Sequence, residues 1–168
     1  MNILELLNSG SKTLKKNKIE THQLDSELVL SNLLKKQREN LLINLNEKVS
    51  KNIIDNFKSL IARRAHREPL AYILKKKEFW SKDFFVDRNT LIPRPETELL
   101  CESIVKLFKT KNLYILDMGT GTGCVILSIL SEISGARGIG VDVSRKAIEV
   151  AKKNSNKFGL NKKVKFIN

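Results

Sequence analysis

The sequence predicts an α/β fold in which a small helical bundle precedes the first half of a doubly wound parallel sheet. Apolar residues recur at helical spacing as far as about residue 74, and beyond residue 112 short apolar runs alternate with helical stretches. Residues 115–123 read I-L-D-M-G-T-G-T-G, an apolar run that ends in an acid and three alternating glycines. Such alternation implies parallel strands joined by right-handed helical crossovers, and the glycines mark a turn from strand to helix.

Residues 1–74 are predicted to form a helical domain. Polar breaks near Asn17, at Glu20 and Thr21, and over 44–47 separate stretches in which apolar side chains recur at helical spacing. Thr21 is suited to cap the second helix with its hydroxyl. The apolar positions are Ile3, Leu7, Leu14, Leu24, Leu28, Leu33, Val49, Ile53, Phe57, Leu60 and Ile61.

Residues 75–90 are predicted to form a β-hairpin that links the helical domain to the sheet. The segment 76–87 reads K-K-E-F-W-S-K-D-F-F-V-D, in which aromatic and β-branched residues flank the polar group Ser81, Lys82 and Asp83. The turn is therefore expected at those three residues. Trp80 is expected in the core of the hairpin, and the alternative is a stacking platform near the cleft.

Residues 91–168 are predicted to form part of a doubly wound domain. Pro95 suits the first position of a helix that runs to about Lys109, and Glu96 and Glu98 in its first turn complement the helix dipole. A strand over 113–117, a helix over 123–132, a strand over 138–142, a helix over 144–158 and a strand from Val164 are expected next. This order predicts a parallel sheet.

Composition and length are those of an ordinary globular chain. The 168 residues are 41% hydrophobic and 29% charged, and no apolar stretch approaches the roughly 20 residues that cross a bilayer. The N-terminus lacks the basic and then apolar layout of a secretory signal, so we expect a cytoplasmic protein with no membrane partner. Cys101 and Cys124 lack the paired spacing of a disulfide framework or a zinc site, and no metal site is predicted.

The formal net charge of +13 reflects 31 lysines and arginines against 18 acidic residues. A basic surface can bind nucleic acid by releasing counterions from phosphates. The excess is carried by lysine along the whole chain, however, and asparagine and isoleucine are abundant too, as an AT-rich genome produces. Direct nucleic-acid binding is therefore not expected, although the lysines at 75–77 and between 152 and 163 are locally dense.

The three glycines predict a ligand-binding turn at the N-terminus of a helix. Gly119, Gly121 and Gly123 can adopt backbone angles closed to other residues, and their missing Cβ atoms let a ligand lie against the main chain. A dinucleotide turn, G-x-G-x-x-G/A, would need glycine or alanine at Cys124 or Ile126, and neither position fits. No Gly-Lys-Ser or Gly-Lys-Thr of a phosphate loop follows either, so nicotinamide, flavin and nucleoside triphosphate ligands are disfavoured.

What remains is an acid and three alternating glycines, which resembles the first motif of class I S-adenosyl-L-methionine-dependent methyltransferases, here Asp117 to Gly123. Asp142 ends the next apolar run about 20 residues further on, where an acid accepts hydrogen bonds from ribose hydroxyls. The alternative is a structural turn with Asp142 capping the next helix. The predicted cofactor-binding residues are Gly119, Thr120, Gly121, Thr122, Gly123 and Asp142.

Residues 67–100 narrow the resemblance from a superfamily to a family. They contain E-P-L-A-Y-I, then E-F-W, then L-I-P-R-P-E-T-E, and these precede L-D-M-G-T-G-T-G and V-D-V-S. In this order the motifs resemble the bacterial peptide chain release factor N5-glutamine methyltransferases, the HemK/PrmC family, from about residue 20 to 168. The resemblance implies a helical bundle joined to the first half of a class I, Rossmann-like methyltransferase sheet.

The resemblance also implies an activity and a partner. Members transfer a methyl group from S-adenosyl-L-methionine to the glutamine of the Gly-Gly-Gln motif in class I peptide chain release factors, and residues 1–74 match the domain that helps to grip the release factor. Arg94, Pro95 and Thr97 match a loop that borders the cofactor cleft, or else form a rigid helix start. A monomer is expected at full length.

The family's catalytic Asn-Pro-Pro-Tyr loop does not occur in this sequence, whose only prolines are Pro69, Pro93 and Pro95. No catalytic residue is therefore assigned, and we expect a truncated, N-terminal portion that is inactive alone. Two alternatives stay open. One is a class I adenine-N6 methyltransferase, or another enzyme acting on protein or nucleic acid, and the other is a non-catalytic module that binds a release factor.

Overall fold

The computed structural model describes residues 1–109 and 112–168. The chain divides into two compact units, Met1–Leu74 and Lys75–Asn168, and each has a hydrophobic core of its own. The first unit is helical, and the second contains a parallel three-stranded sheet with helices. The predicted α/β fold class, with a helical N-terminal region before a parallel sheet, is confirmed. Within the described ranges, no helix is long and apolar enough to cross a membrane.

Helices packed around buried apolar side chains make up the first unit. They are α1 (Ile3–Lys16), α2 (His22–Leu34), α3 (Arg38–Ile43), α4 (Lys51–Ala65) and α5 (Leu70–Leu74). A capping box begins α1, since the Asn2 side chain accepts from the Glu5 N–H at 2.8 Å and the Glu5 carboxylate accepts from the Asn2 N–H at 3.0 Å. The core includes Leu6, Leu14 and Leu30, all fully buried.

The start of α2 differs from the sequence-based prediction. Thr21 occupies the N-cap position, but its side chain makes no capping hydrogen bond. Its φ of −81° and ψ of 22° are not the extended angles that direct a hydroxyl at the first turn. The first residue of α2 is held by α1 instead, because the Ser11 hydroxyl and His22 Nδ1 are hydrogen-bonded at 2.8 Å.

Helices α1, α2 and α4 meet at Gly10, in the middle of α1. A Cβ atom at this position would lie 2.6 Å from Cζ of Phe57 and 2.6 Å from Oγ of Ser26. Phe57 is 1% exposed, and the Ser26 hydroxyl donates to the Leu7 carbonyl at 3.0 Å, so neither neighbour is free to move. Glycine is therefore required here by the closeness of the helices.

Buried carboxylates of the first unit are paired with arginines. Arg64 Nε donates to Asp25 at 2.6 Å, and Arg63 donates to both carboxylate oxygens of Glu68 at 2.8 and 2.6 Å. Arg64 also donates to the Glu68 carbonyl at 3.2 Å. Because a buried charge that loses its partner costs several kcal/mol, these pairs fix α4 against α2 and against the turn that leads to α5.

The second unit begins with a hairpin and continues with alternating helices and strands. Its elements are β1 (Lys77–Phe79), β2 (Lys82–Phe84), a 3₁₀ helix (Pro95–Thr97), α6 (Glu98–Phe108), β3 (Tyr114–Met118), α7 (Cys124–Glu132), β4 (Arg137–Val141), α8 (Arg145–Lys157) and β5 (Val164–Ile167). The bounds predicted beyond residue 112 agree with these to within one residue. Pro95 differs, because it begins the 3₁₀ turn and the α-helix starts only at Glu98.

The hairpin turn lies earlier than predicted. Trp80 and Ser81 form it with φ of 52° and 53°, as in the two-residue turns that match strand twist. Lys82 and Asp83, which were expected in the turn, belong to β2, where Lys82 pairs with Phe79. Both residues are half-buried and lie on opposite faces of the strand, and Lys76 forms an ion pair with Asp83 at 2.8 Å.

The hairpin packs into the core of the second unit. Phe79 and Phe84 are 1% and 0% exposed and meet edge to face, with ring centroids 6.0 Å apart. The Trp80 backbone N–H donates to the Glu98 carboxylate at 2.9 Å, and its indole N–H donates to Glu132 at 3.0 Å. The positive φ angles of the turn are thus stabilised by α6 and α7.

The parallel sheet has the order β3-β4-β5, with Leu116 of β3 opposite Ile139 of β4. Helices α7 and α8 pack on the sheet. Alternate residues of β3, namely Tyr114, Leu116 and Met118, are 79%, 63% and 79% exposed. The carboxyl ends of β3 and β4 lie at the same edge of the sheet, and the loops that follow them meet there, where ligands bind in doubly wound folds.

The contact at Gly10 yields a test of the first core. Alanine normally stabilises a helix relative to glycine by about 0.5–1 kcal/mol, but here its methyl group would collide with Phe57 and Ser26. We expect Gly10→Ala to lower the free energy of unfolding by about 1–3 kcal/mol, as overpacking does. Urea denaturation measures the change. Ser9→Ala, on the exposed side of α1, is the control and should change stability by less than about 0.5 kcal/mol.

Candidate functional site

The glycine turn joins β3 to α7 at the carboxyl edge of the sheet. Gly119, Gly121 and Gly123 all have positive φ, at 75°, 54° and 77°. The backbone N–H groups of Gly119 and Thr120 both donate to the Val141 carbonyl, at 2.8 and 2.9 Å. The turn is therefore anchored to the last residue of the neighbouring strand β4, and the sequence I-L-D-M-G-T-G-T-G folds as predicted into a strand, a tight turn and a helix start.

The space around each glycine separates an open part of the turn from a closely packed part. A Cβ atom on Gly119 would meet nothing within 4 Å, and one on Gly121 would meet only the Gly119 carbonyl at 3.9 Å. A Cβ atom on Gly123 would lie 3.1 Å from Leu127 and 3.4 Å from Ala151. The first two glycines therefore present open backbone, whereas Gly123 lets α8 approach α7 closely.

Asp142 brings the two predicted parts of the site together. Its Oδ2 accepts a hydrogen bond from the Gly121 N–H at 2.9 Å, across 21 residues of sequence, and its Oδ1 accepts from the Ser144 N–H at 2.9 Å. The Ser144 hydroxyl in turn accepts from the Ala147 N–H at 3.2 Å and caps α8. Each carboxylate oxygen keeps a second lone pair, so Asp142 can support the helix start and still accept hydrogen bonds from a ligand.

Both threonines of the turn direct their side chains inward. The Thr120 hydroxyl donates to Asp117 Oδ2 at 2.7 Å, and Thr120 is 5% exposed. Thr122 is 2% exposed, and its side chain is hydrogen-bonded to Cys124. What Thr120 and Thr122 offer a ligand is therefore main chain, not hydroxyl groups.

Two carboxylates give the turn a negative electrostatic environment. Burial raises the pKa of Asp117, hydrogen bonds from the Thr120 hydroxyl and the Ile126 N–H lower it, and the nearby Asp142 charge raises it. The Ile126 N–H belongs to the first turn of α7, so Asp117 also satisfies part of that helix N-terminus. A helix N-terminus flanked by two acids favours a cation over a phosphate.

The cysteines are poorly placed for nucleophilic chemistry. Burial raises the pKa of Cys101 to about 12 and also raises the pKa of Cys124. A raised pKa leaves little of either side chain as thiolate near neutral pH. Within residues 1–109 and 112–168, no three His, Cys, Asp or Glu side chains cluster as metal ligands would.

Arg94, Pro95 and Thr97 form the 3₁₀ start of α6, where the Thr97 N–H donates to the Arg94 carbonyl at 3.1 Å. Arg94 and Pro95 are exposed. In the described part of the chain, no hydrogen bond or ion pair joins these three residues to the glycine turn. The 3₁₀ turn agrees with the interpretation of these residues as a rigid helix start. Their position beside a cofactor cleft stays a prediction.

One residue in contact with the turn was missed by the sequence reasoning. Asn154 of α8 is fully buried, and its side chain donates to the Thr122 carbonyl at 2.9 Å. A signal was present, because Asn154 follows Ala147, Val150 and Ala151 at the spacing of the buried face of a helix. A polar residue in a buried stripe needs hydrogen-bond partners, and here one partner is the turn itself.

Comparison with known families gives two matches, in the same order as the two units. Residues 5–74 match the PrmC N-terminal domain, and residues 109–168 match a methyltransferase domain. The first match covers most of the helical unit, and the second contains the glycine turn and Asp142.

Individual relatives match nearly the whole chain. A release factor glutamine methyltransferase from Buchnera aphidicola subsp. Schizaphis graminum is 42% identical over 88% of this chain and 53% of its own length. The release factor glutamine methyltransferase from Nitratidesulfovibrio vulgaris is 33% identical over 96% of this chain and 55% of its own length. A bifunctional methyltransferase from Rickettsia typhi is 34% identical over 98% of this chain and 36% of its own length.

The chain thus spans about half the length of the two release factor enzymes and a smaller share of the bifunctional one. Its two matched parts follow one another in the order that the sequence motifs predict. The chain therefore contains a PrmC N-terminal domain followed by a methyltransferase domain.

Proposed function

We propose that the protein containing this chain transfers a methyl group from S-adenosyl-L-methionine to the glutamine of the Gly-Gly-Gln motif in class I peptide chain release factors. The observation that carries the proposal is the hydrogen bond from the Gly121 N–H to Asp142. It joins an open glycine backbone to a carboxylate at the carboxyl edge of a parallel sheet. That combination suits a nucleoside with hydroxyl groups and a positively charged tail.

The residues present fit this cofactor. The open space beside Gly119 and Gly121 would take its methionine part, and the free lone pairs of Asp142 would accept from its ribose hydroxyls. S-adenosyl-L-methionine supplies an activated methyl group on a sulfonium centre. Asp117 and Asp142 favour that positive charge, whereas a pyrophosphate would be repelled by both carboxylates.

The proposed substrate rests on the family matches. The relatives from Buchnera aphidicola and Nitratidesulfovibrio vulgaris are named release factor glutamine methyltransferases, and this chain spans about half the length of each. An amide nitrogen is a weak nucleophile, so the enzyme must hold it in line with the methyl group, which is catalysis by positioning. The first unit would hold the release factor while the second holds the cofactor. The match of the first unit to the PrmC N-terminal domain supports this division of roles.

Methyl transfer provides the direct test. The product of the whole gene should transfer labelled methyl groups from S-adenosyl-L-methionine to a purified class I release factor, and not to a release factor in which the Gly-Gly-Gln glutamine is alanine.

The substitution Asp142→Asn tests the cofactor site. It should weaken cofactor binding, measured by calorimetry, by about tenfold or more, because a hydrogen bond to a charged group contributes about 1.5–3 kcal/mol.

DNA carrying adenine is the comparison substrate in the same assay. Transfer to DNA with none to the release factor would replace the proposed substrate by an adenine amine. Tight binding of release factor with no transfer to any substrate would favour a binding module. Calorimetry that detects a nicotinamide dinucleotide but no S-adenosyl-L-methionine would overturn the cofactor assignment.

The raised pKa of Asp117 predicts how cofactor affinity depends on pH. Since burial raises this pKa, the carboxyl group takes up a proton at a higher pH than an ordinary aspartate does. Protonation removes a negative charge from the site, so affinity for the cationic cofactor should fall as pH is lowered from neutral into the acid range, and the fall should begin at a higher pH than for an ordinary aspartate. Its size should be up to about tenfold at an effective dielectric of about 20. Titration calorimetry at each pH measures this.

Two comparisons isolate the role of the Asp117 charge. Asp117→Asn should bind more weakly at neutral pH and lose most of the pH dependence, while Asp55→Asn, which removes an exposed carboxylate of α4, should retain it. S-adenosylhomocysteine lacks the sulfonium charge and should show a smaller dependence than S-adenosyl-L-methionine. Equal pH profiles for Asp117→Asn and the unsubstituted protein would contradict the assignment.

A further inference from the structure

Asn154 is a buried carboxamide in α8, and its side chain binds two separate backbone segments. Its Oδ1 accepts from the Phe85 N–H at 2.7 Å. Its Nδ2 donates to the Phe85 carbonyl at 3.0 Å and to the Thr122 carbonyl at 2.9 Å. Exposure of Asn154 is 0%, so no water competes for these three hydrogen bonds.

The contact with Phe85 fixes the orientation of the carboxamide. Asn154 binds both the N–H and the carbonyl of Phe85, as a neighbouring strand would, although Phe85 lies just after the end of β2. Exchanging the oxygen and nitrogen of the carboxamide would set donors against the Phe85 N–H. Because the two hydrogen bonds to Phe85 fix the orientation of the carboxamide, they also direct Nδ2 toward the Thr122 carbonyl.

The contact with Thr122 completes the external support of the glycine turn. The beginning of the turn is bound by the Val141 carbonyl, and its middle is bound by Asp142 at the Gly121 N–H. The Gly123 N–H, at the end of the turn, donates to the Thr120 carbonyl at 2.8 Å, which lies within the turn itself. Asn154 thus anchors the last peptide of the turn from outside.

We propose that Asn154 is a positioning residue that holds the glycine turn in its cofactor-binding conformation and ties it to Phe85. This inference rests on the proposed cofactor role of the turn. The side chain of Asn154 acts through the Thr122 carbonyl, away from the open backbone of Gly119 and Gly121. Its loss would leave the turn free to rotate its last peptide, and the Gly121 N–H would no longer be held against Asp142.

Asn154→Asp tests the proposal with little change in volume. The introduced carboxylate keeps an acceptor for the Phe85 N–H but lacks the Nδ2 donor, so the Phe85 and Thr122 carbonyls lose their partner. In the product of the whole gene, the Kd for S-adenosyl-L-methionine should rise by about tenfold or more. Hydrogen exchange of the Gly121 amide should become faster. The KM for the cofactor should rise, while kcat at saturating cofactor stays within about threefold.

A pH series adds a second readout for Asn154→Asp. Burial favours the neutral form of the introduced carboxyl group, and that form has an O–H that can donate to a carbonyl as Nδ2 does. The ratio of the variant Kd to the unsubstituted Kd should therefore shrink as pH falls. A ratio that stays constant between about pH 7.5 and 5 would contradict a role for the lost donor.

Ser155→Ala is the matched control on the same helix. Ser155 is 2% exposed, and its hydroxyl has no hydrogen-bond partner within the described residues, so its removal breaks no polar contact. Its Kd for the cofactor and its Gly121 exchange rate should stay within about twofold of the values for the unsubstituted protein.

The outcomes separate this inference from the proposed function. Thermal destabilisation of Asn154→Asp with unchanged Kd and unchanged Gly121 exchange would make Asn154 a purely structural residue and overturn the inference. Faster Gly121 exchange in the variant, with no cofactor binding even by the unsubstituted protein, would support positioning of the turn and reject the proposed cofactor.

If Asn154→Asp does not fold, the unsubstituted protein still provides a test. In an amide-detected NMR titration with S-adenosyl-L-methionine, the side-chain amide signals of Asn154 should shift because the turn they support becomes occupied. Those of Asn156, which is exposed on the same helix, should not. Unchanged Asn154 signals at saturating cofactor would overturn the inference.

Discussion

The candidate site depends on one constraint: a turn with three left-handed glycines must be held rigid by groups outside it. A turn of this kind is flexible in isolation, since glycine loses more conformational freedom on folding than other residues. Here the Val141 carbonyl, the Asp142 carboxylate and the Asn154 carboxamide each bind a different part of the turn. Because β4, the loop after it and α8 supply these groups, the shape of the turn is determined by the packing of the second unit.

Electrostatics separates this turn from the phosphate-binding turns of related folds. A helix N-terminus preceded by glycines attracts anions by default. In this protein, Asp117 accepts from the Ile126 N–H of α7, and Asp142 accepts from the Gly121 N–H, so donors that could bind a phosphate are occupied by carboxylates. The same backbone geometry thus becomes suited to a ligand with positive charge and hydroxyl groups. Asp117 and Asp142 therefore determine the charge around the turn, whereas the glycines determine its backbone shape.

Most of the fold was predictable because its signals are local. The strands, the helices and the glycine turn beyond residue 112 lie within one residue of their predicted bounds, since apolar periodicity and glycine both act over a few residues. Errors arose where a distant contact decides. The hairpin turn falls at Trp80 and Ser81 because Glu98 and Glu132 bind Trp80 there. The helix periodicity places Asn154 on the buried face of α8, but its partners Phe85 and Thr122 lie 69 and 32 residues away, so its contact with the turn was missed.

The polar side chains around the turn make the contacts that strands normally make with one another. Asn154 binds the N–H and carbonyl of Phe85, and Asp142 binds the backbone of Gly121 and Ser144, at positions where the strands have ended. Burying a carboxamide in a helix face is unfavourable unless it is fully hydrogen-bonded, so such a residue is tolerated where it stabilises the backbone that it binds. A turn fixed before the ligand arrives loses little conformational freedom on binding, and more of the contact energy remains as affinity.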